Sequence, residues 1–346
     1  MKKLKILAIG QGCYVPSYKF RLEEVKKDFI NKNIDYKAMC FSISSYPPQG
    51  IVNRLWWIIK IFVNRYPVIR LQKKTDILIL QREMISTLYT LERFLSKPFI
   101  FDIDDAIHLN QRFNAINKIA VKAKAIVVCN RYLADYYKNY NKNVYVIPTP
   151  VNTKKYKPKY QLSINSDTIV IGWIGTSSNF VSLRLIEEAL ATILKKNPNV
   201  VLKVVSDKDP KFSKIDPKQY IFKQWSAKED AEDIQSFDIG IMPLINNEHS
   251  RGKCAFKMLQ YMACGIPVVS TCLPMNQQIL SIRESGFCVD GYDSQWVKSL
   301  DYLIHNSEER RILGENGRKV VESQFSSEIY VQKYIDIFSK IEKGII

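Results

Sequence analysis

Histidine is scarce in this sequence, and no two cysteines have the Cys-x-x-Cys spacing typical of metal ligands. The chain has three His and seven Cys in 346 residues. Zinc sites draw on closely spaced Cys and His, so the sequence predicts no metal site and no bound cofactor. The seven Cys are an odd number and lie mostly in apolar segments, which indicates reduced thiols in a cytoplasmic protein.

Long apolar runs are also missing. No stretch approaches the roughly 20 residues that a helix needs to cross a bilayer. The N-terminal segment MKKLKILAIG leads into Gly-Gln-Gly without a small-residue cleavage site. This pattern indicates a first strand and not a signal peptide. With 46% hydrophobic and 25% charged residues, the composition is that of a globular protein with room for two domains.

Acidic residues are few in the first half only. Residues 1–160 contain 29 Lys and Arg against 11 Asp and Glu, a net charge of +18, whereas the remainder has 22 against 23, a net charge of −1. The excess favours an anionic partner, either the inner face of a cell membrane or a phosphate-rich acceptor. Nucleic acid is a third candidate, but the sequence lacks zinc-finger, RNP-like and helix-turn-helix patterns, so no nucleic-acid partner is predicted.

Residues 51–70 are the candidate for a membrane contact. Leu55, Ile58, Ile59 and Phe62 share one face of a predicted helix, with basic residues around them. The pattern is typical of a basic amphipathic helix on a membrane surface. It is equally typical of a helix packed on its own sheet, and this second interpretation is preferred because apolar stripes usually face a core.

Short apolar runs alternate with helical patterns along the whole chain. This alternation predicts an α/β protein with two doubly wound parallel sheets facing a cleft. The Pro- and Lys-rich segment 148–158 reads as a linker or exposed loop. We therefore expect one domain over residues 1–160, a second domain over 161–325 and a C-terminal helix over 326–346.

Small and acidic residues follow several of the predicted strands. Gly12 follows the first strand, and Gly175 and Thr176 follow the first strand of the second half, where small residues let a ligand phosphate approach the backbone. Asp104 and Asp105 end the strand 98–103, and carboxylates at this edge suit a general base or a charge stabiliser. A helix cap and a metal site are the alternatives for the two aspartates.

Three cations cluster near the start of the predicted helix 253–263. Arg251, Lys253 and Lys257 lie where the helix dipole is positive, which disfavours cations unless an anion binds. A diphosphate fits such a place. An exposed basic helix start is an equally weighted alternative.

The segment YMACGIPVVST, preceded by DIGIMPL, resembles the donor-binding segment of GT-B glycosyltransferases of the family 4 type. The resemblance implies two Rossmann-like domains. The first is an acceptor-side domain, joined by the C-terminal helix 326–346, and the second binds a nucleotide-sugar. The resemblance also implies a retaining, metal-independent transfer to a glycan or lipid-linked acceptor. The product would be a cell-surface polysaccharide or glycolipid. The protein would be cytoplasmic or peripheral at the inner face of the cell membrane.

The same resemblance implies roles for individual residues. Arg251, Lys253 and Lys257 would hold the diphosphate, Trp225 would flank the nucleobase, and Asp104 or Asp105 would act beside the acceptor. The family usually has two Glu separated by seven residues, and Gly252 and Gln260 stand in their places. Gln260 can still hydrogen-bond a ribose hydroxyl. The missing pair leaves an alternative function, a non-catalytic GT-B binding protein or partner subunit of an active transferase.

Overall fold

The computed structural model describes residues 3–158 and 168–346. The chain divides into two compact units. The first comprises Met1–Pro150, Gly252–Cys254 and Ser327–Ile346, and the second comprises Val151–Arg251 and Ala255–Ser326. The division thus falls after Pro150, while the predicted boundary at residue 160 lies outside the described residues. No helix in the described ranges is long and apolar enough to cross a membrane.

The first unit is built on a six-stranded parallel sheet in the order β2-β1-β3-β4-β5-β6. Its strands are β1 (Lys5–Gly10), β2 (Asp35–Met39), β3 (Ile77–Gln81), β4 (Phe99–Ile103), β5 (Ala125–Val128) and β6 (Val144–Val146). Its helices are α1 (Pro16–Tyr18), α2 (Lys26–Asn31), α3 (Ile51–Arg65), α4 (Pro67–Leu71), α5 (Ala115–Lys122) and α6 (Arg131–Tyr137). The central strands β3, β4 and β5 are buried throughout, as expected for a sheet covered on both faces.

The second unit repeats this architecture with the strand order β12-β11-β10-β7-β8-β9, again all parallel. Its strands are β7 (Ile169–Ile174), β8 (Val200–Ser206), β9 (Tyr220–Gln224), β10 (Ile239–Met242), β11 (Val268–Thr271) and β12 (Gly286–Val289). Its helices are α7 (Phe180–Arg184), α8 (Glu187–Lys196), α9 (Asp230–Gln235), α10 (Glu248–Arg251), α11 (Phe256–Ala263), α12 (Pro274–Leu280), α13 (Ser294–His305) and α14 (Ser307–Val320).

A last helix, α15 (Ser327–Glu342), belongs to the first unit. Its Tyr334 donates a hydrogen bond to the fully buried carboxylate of Asp102. Arg21 donates two hydrogen bonds to the same carboxylate, from Nε at 2.7 Å and from Nη2 at 2.9 Å. Burial alone would lower the pKa of Arg21, but the neighbouring Asp102 raises it well above its ordinary value. Asp102 therefore links Arg21 and helix α15 to strand β4 inside the first unit. It does not reach the sheet edge, although it is close to Asp104 in the sequence.

Three expectations fail against this fold. The segment after Pro150 is no exposed loop, because Val151 and Tyr156 are fully buried in the core of the second unit. The seven cysteines are not all reduced, because Cys13 and Cys40 form a disulfide. The apolar face of α3 does not pack on its own sheet, because only Ile61 and Arg65 of this helix are buried.

Candidate functional site

The strand order of the second unit marks a ligand-binding edge. Strand β7 lies between β10 and β8. The chain therefore adds β8 and β9 on one side of β7 and then β10, β11 and β12 on the other side, so the strand order reverses at β7. In open α/β sheets, ligands bind beyond the carboxyl ends of the strands at such a reversal. Gly175 and Thr176 follow β7 directly, which places both predicted residues at this edge.

Gly175 is packed closely against a lysine and a tryptophan. A Cβ atom on Gly175 would lie 2.3 Å from Nζ of Lys257 and 2.8 Å from the ring of Trp173. The same Nζ lies 4.5 Å from the centre of the Trp173 ring. Glycine at this position therefore lets the Lys257 ammonium reach the turn that follows β7. The structure brings Gly175 and Lys257 together, and adds Trp173, which sequence reasoning did not single out.

Helix α11 is fixed beneath this turn by Tyr261. The Tyr261 hydroxyl accepts a hydrogen bond from the Ile174 N–H at 3.1 Å and donates to the Ile241 carbonyl at 3.4 Å. Gly240 leaves room for its ring, since a Cβ there would lie 2.5 Å from it. Lys257 is one turn before Tyr261, so the helix aims its first turn at the carboxyl ends of β7 and β10.

The start of α11 differs from the prediction. The helix begins at Phe256, and its N-cap Ala255 has a left-handed backbone with φ of 52°. Arg251 ends the separate helix α10, and Lys253 lies between the two helices. Of the three predicted cations, only Lys257 stands in the first turn of α11. Because alanine has no polar side chain, the N–H groups of this turn have no N-cap side chain to accept their hydrogen bonds.

An unpredicted carboxylate occupies part of the turn after β7. Asp207, which follows β8, accepts hydrogen bonds from the Ser177 N–H at 2.6 Å and the Ser177 hydroxyl at 2.8 Å. These bonds hold the pKa of Asp207 below its usual range. Thr176 bonds instead to Ser178 at 2.8 Å and to Asn179 at 2.9 Å. Since Asp207 already uses the Ser177 donors, the predicted phosphate contact shifts to Lys257 and the start of α11.

The two remaining donor-side residues lie on elements of the same unit. Trp225 follows the carboxyl end of β9, and its side chain is 43% exposed. Its N–H donates to the Ser206 carbonyl at 2.8 Å, so the backbone below the indole is held in place. Gln260 lies in α11 and is buried.

In the first unit, Asp104 and Asp105 share an arginine. Arg82, just after β3, places Nε 2.7 Å from Asp104 and Nη2 3.8 Å from Asp105. Gln81 also donates to Asp104, at 3.1 Å. Asp105 accepts a hydrogen bond from the Ala106 N–H at 2.9 Å. Asp104 is thus the more tightly bound of the two carboxylates, and Asp105 is the more exposed.

The segment Gly252–Cys254 packs beside these aspartates. A Cβ on Gly252 would lie 2.6 Å from the Ala106 methyl and 2.9 Å from its backbone nitrogen. Asn130 donates to the Lys253 carbonyl at 3.0 Å. The sulfur of Cys129 lies 3.4 Å from the carbonyls of both Asp104 and Gly252. The structure therefore brings the segment that bears Lys253 against the loop that bears Asp104 and Asp105.

Gly12 lies at the corresponding edge, after β1, and its contacts are ordinary. A Cβ there would meet the Val15 side chain at 3.5 Å, so nothing nearer demands glycine. Buried oxygens surround this edge: Gln11 Oε1, Gln81 Oε1 and Glu83 Oε2 receive no hydrogen bond from any part of the chain that the structure describes. Burial raises the pKa of Glu83. These oxygens can accept hydrogen bonds from ligand hydroxyl groups.

Metal ligands do not gather here or elsewhere in residues 3–158 and 168–346, where no three His, Cys, Asp or Glu side chains lie close enough to hold an ion. The residues that sequence reasoning missed are Arg82, Trp173 and Asp207. Arg82 had a signal, because the polar run Gln-Arg-Glu follows an apolar strand as the aspartates do. Trp173 lies inside an apolar strand, and its contact with Lys257 depends on tertiary structure.

Comparison with known proteins agrees with this geometry. The family model described as Glycosyl transferases group 1 matches residues 168–306, which is most of the second unit. A curated relative, the capsular polysaccharide biosynthesis glycosyltransferase CapM of Staphylococcus aureus, is 25% identical over 198 residues. These residues are 56% of this chain and 51% of CapM, so the match spans about half the length of that relative.

Solved structures share the fold over nearly the whole chain. A glycosyltransferase from Rickettsia africae superposes with a TM-score of 0.72 at 15% identity, covering 99% of this chain and 100% of the other. The Anabaena protein HepE, solved in complex with UDP and glucose, gives a TM-score of 0.67 at 13% identity, covering 97% and 99%. At such low identities the likeness concerns the fold alone, which is the GT-B fold with two six-stranded parallel sheets.

Proposed function

We propose that this chain, which has the GT-B fold and carries a glycosyl transferases group 1 domain over residues 168–306, is a glycosyltransferase. It moves a sugar from a nucleotide-sugar to a glycan or lipid-linked acceptor in the synthesis of cell-surface polysaccharide or glycolipid. The similarity to CapM supports the polysaccharide, and the UDP complex of HepE supports a uridine donor. The observation that carries the proposal is Lys257, held against Gly175 and Trp173 at the carboxyl edge of β7.

The donor diphosphate would lie between the turn after β7 and the first turn of α11. The positive end of a helix and a lysine ammonium both favour a phosphate group there. Arg251, at the end of α10, would add a second cation for the departing diphosphate. Trp225 would stack on the base, and Gln260 would face the ribose. Charge that develops on the leaving group is the main quantity that such a site stabilises.

A thermal-shift screen with UDP, GDP, ADP and their sugars tests donor binding. A ligand at about 100 times its Kd stabilises the folded state by about 2.7 kcal/mol. We expect a clear rise of Tm with one nucleotide family and none with the corresponding nucleosides, because the diphosphate supplies the charge that Lys257 recognises. No shift with any nucleotide would contradict the proposal.

On the acceptor side, we assign the main role to Asp105. Asp104 is paired with Arg82 at 2.7 Å, and Asp105 is the more exposed of the two carboxylates. Asp105 can thus orient or deprotonate an acceptor hydroxyl while Asp104 holds Arg82 in place.

The transfer is proposed to retain the configuration of the donor sugar and to need no metal. Lys257 and Arg251 provide the positive charge that a divalent cation supplies in other transferases. Proton NMR of the first product formed reports the anomeric configuration, and an inverted product would contradict retention. Turnover that EDTA abolishes and Mg²⁺ or Mn²⁺ restores would contradict metal independence.

One observation favours a second candidate, a non-catalytic binding subunit. Gly252 stands where the resembling family has its first Glu, and its backbone is pressed against Ala106 with no room for a side chain. Measuring sugar release from the nucleotide-sugar without acceptor separates the two functions. A transferase hydrolyses its donor slowly, whereas a binding subunit gives a thermal shift but no release.

An anionic membrane surface is the remaining proposed partner, because all the excess positive charge lies in residues 1–160. An acceptor anchored in the lipid would then be met at that surface, on the cytoplasmic face.

A further inference from the structure

Helix α3 presents its apolar side chains to solvent. Trp56 is 62% exposed, Leu55 60% and Ile59 59%. The full set of exposed apolar side chains on the helix is Ile51, Val52, Leu55, Trp56, Ile58, Ile59, Phe62 and Val63, with Tyr66 just beyond its end. At 100° per residue, these side chains cover an arc of about 160° around the helix axis. An apolar face of this width is rarely left in water unless it has a partner.

The same helix is fixed to the domain by its other side. Arg65 is fully buried and donates to the carbonyls of Met84 at 3.0 Å, Ile43 at 2.8 Å and Gln11 at 3.3 Å. Its guanidinium also lies 4.4 Å from the Phe41 ring. Burial lowers the pKa of Arg65 to about 10, which leaves it charged at neutral pH. Trp57 donates to the Ser44 carbonyl at 2.9 Å. These contacts hold the apolar arc outward.

All the charged residues in the segment around α3 are basic. Residues 36–75 contain no Asp or Glu, and they contain the basic residues Lys37, Arg54, Lys60, Arg65, Arg70, Lys73 and Lys74. Lys60 borders the apolar arc, and Lys73 and Lys74 follow α4 on the surface. An occupant of this surface must therefore combine apolar material with negative charge. A bilayer that contains anionic lipids has both.

A second copy of the chain fits this surface less well. A two-fold contact would set the same patch against itself, and the exposed basic residues Arg54, Lys60, Arg70, Lys73 and Lys74 of one copy would face those of the other. A bilayer has no such repulsion. With 15 residues, α3 is about 22 Å long at 1.5 Å per residue, which suits a helix lying in the plane of the interface.

We infer that the apolar arc of α3 docks into the interface of an anionic lipid bilayer, with Trp56 at headgroup depth and the exposed basic residues Arg54, Lys60, Arg70, Lys73 and Lys74 on the lipid phosphates. The docking deepens the proposed function, because it directs the transferase to lipid-linked acceptors. Arg65 of the docked helix donates a hydrogen bond to the Gln11 carbonyl, in the loop that carries Gly12. This bond fixes the position of the acceptor-side edge of the first sheet relative to the membrane surface.

Sedimentation with vesicles tests the docking separately from catalysis. The vesicles are phosphatidylcholine alone or with about one third phosphatidylglycerol. We expect the full chain to pellet with the anionic vesicles and to remain largely in solution with the neutral ones. The combined variant Leu55→Gln, Trp56→Gln, Ile59→Gln should lose at least about tenfold in vesicle affinity. Its matched control, Val181→Gln with Ile312→Gln, changes exposed apolar residues of the second unit and should bind vesicles as the unchanged protein does.

The charge contribution is tested by Arg54→Gln, Lys60→Gln, Arg70→Gln, which should lower affinity for anionic vesicles by about 100-fold at low salt. The control Lys195→Gln, Arg283→Gln, Lys298→Gln removes three exposed charges from the second unit.

Equal binding to both vesicle types, or unchanged binding by the α3 variants, overturns the inference. A dimer in sedimentation equilibrium that the apolar variant dissociates would identify a second copy as the occupant instead. Thermal shift with UDP reports donor binding in the same samples, so failure of docking and failure of the proposed function are distinguished.

Discussion

The carboxyl edges of the two sheets differ in how their charges are compensated. In the first unit, Asp104 is paired with Arg82 at 2.7 Å, and Asp102 beneath it is paired with Arg21. In the second unit, Lys257 lies on the Trp173 ring and α11 starts from an alanine that cannot cap it. The first edge thus holds two carboxylates on one arginine, whereas the second edge, which we call the positive edge, presents the Lys257 ammonium at a helix start without a side-chain cap, beside Asp207.

This difference separates two kinds of ligand. Carboxylates accept hydrogen bonds, so the first edge suits hydroxyl groups, which donate hydrogen bonds and bring no charge. A positive edge suits a diphosphate. The comparison therefore predicts that damage to one edge leaves ligand binding at the other edge intact.

The largest expected effect concerns the buried ion pair of Arg21 and Asp102 beneath the first edge. Arg21→Met leaves the Asp102 charge buried without its partner, so we expect a loss of about 3–5 kcal/mol in the free energy of unfolding. Urea unfolding measures this loss. The double variant Arg21→Met, Asp102→Leu removes both charges and should recover much of the stability. Equal stability of the single variant and the unchanged protein would show that this pair does not support the edge.

The functional half of that edge is tested by Asp105→Asn. We expect sugar transfer to fall about 10³-fold, because the amide cannot accept the acceptor proton, while the thermal shift with the donor nucleotide stays unchanged. Asp104→Asn should cost less, since Asp104 mainly holds Arg82. Asp135→Asn, an exposed carboxylate of α6, is the control. If Asp104→Asn proves the more damaging, the two aspartates exchange roles.

Much of the fold could be predicted from the sequence, since buried parallel strands have continuous apolar runs. The segment Gly286–Val289, which resembles a strand of the family, forms β12, and the helical pattern of Ser294–His305 forms α13. The pattern of residues 86–95 also predicts a helix, and this prediction is wrong. Only a short 3₁₀ turn forms at Leu91–Phe94, because the Glu92 carboxylate instead accepts the Met84 N–H at 2.6 Å and the Thr90 N–H at 2.8 Å. Contacts between residues distant in sequence decide such segments, and local pattern does not contain them.

The candidate site was predictable only in part, for the same reason. Residue type and position after a strand were enough to select Gly175, Lys257 and the aspartates. The pairing of Asp104 with Arg82 joins the ends of two different strands. The three-residue delay of α11 accompanies tertiary contacts of the segment Gly252–Cys254 with Ala106, Cys129 and Asn130.

The positive edge is tested by Lys257→Ala. Without the ammonium, the diphosphate loses its charge partner beside Gly175, and we expect kcat/KM for transfer to fall about 100-fold with a smaller thermal shift from the nucleotide. Lys298→Ala removes an exposed lysine of α13 in the same unit and should change neither value. Full activity in Lys257→Ala would place the diphosphate elsewhere and remove the contrast between the two edges.

The smallest effect is expected at the rim of the positive edge. Trp225→Ala removes the exposed indole beyond β9, and loss of base stacking should weaken nucleotide affinity about tenfold. Trp225→Phe keeps an aromatic face and should retain most of the affinity. Tyr302→Ala, an exposed aromatic residue of α13, is the control and should bind like the unchanged protein. Isothermal titration with the nucleotide that the thermal-shift screen selects gives all three affinities.

The salt dependence of these affinities separates stacking from charge. Because stacking adds no charge, the affinity loss in Trp225→Ala should be the same at low and high salt, whereas the affinity loss in Lys257→Ala should shrink as salt screens the diphosphate. Equal salt dependence of the two losses would mean that Trp225 acts on the phosphates and not on the base.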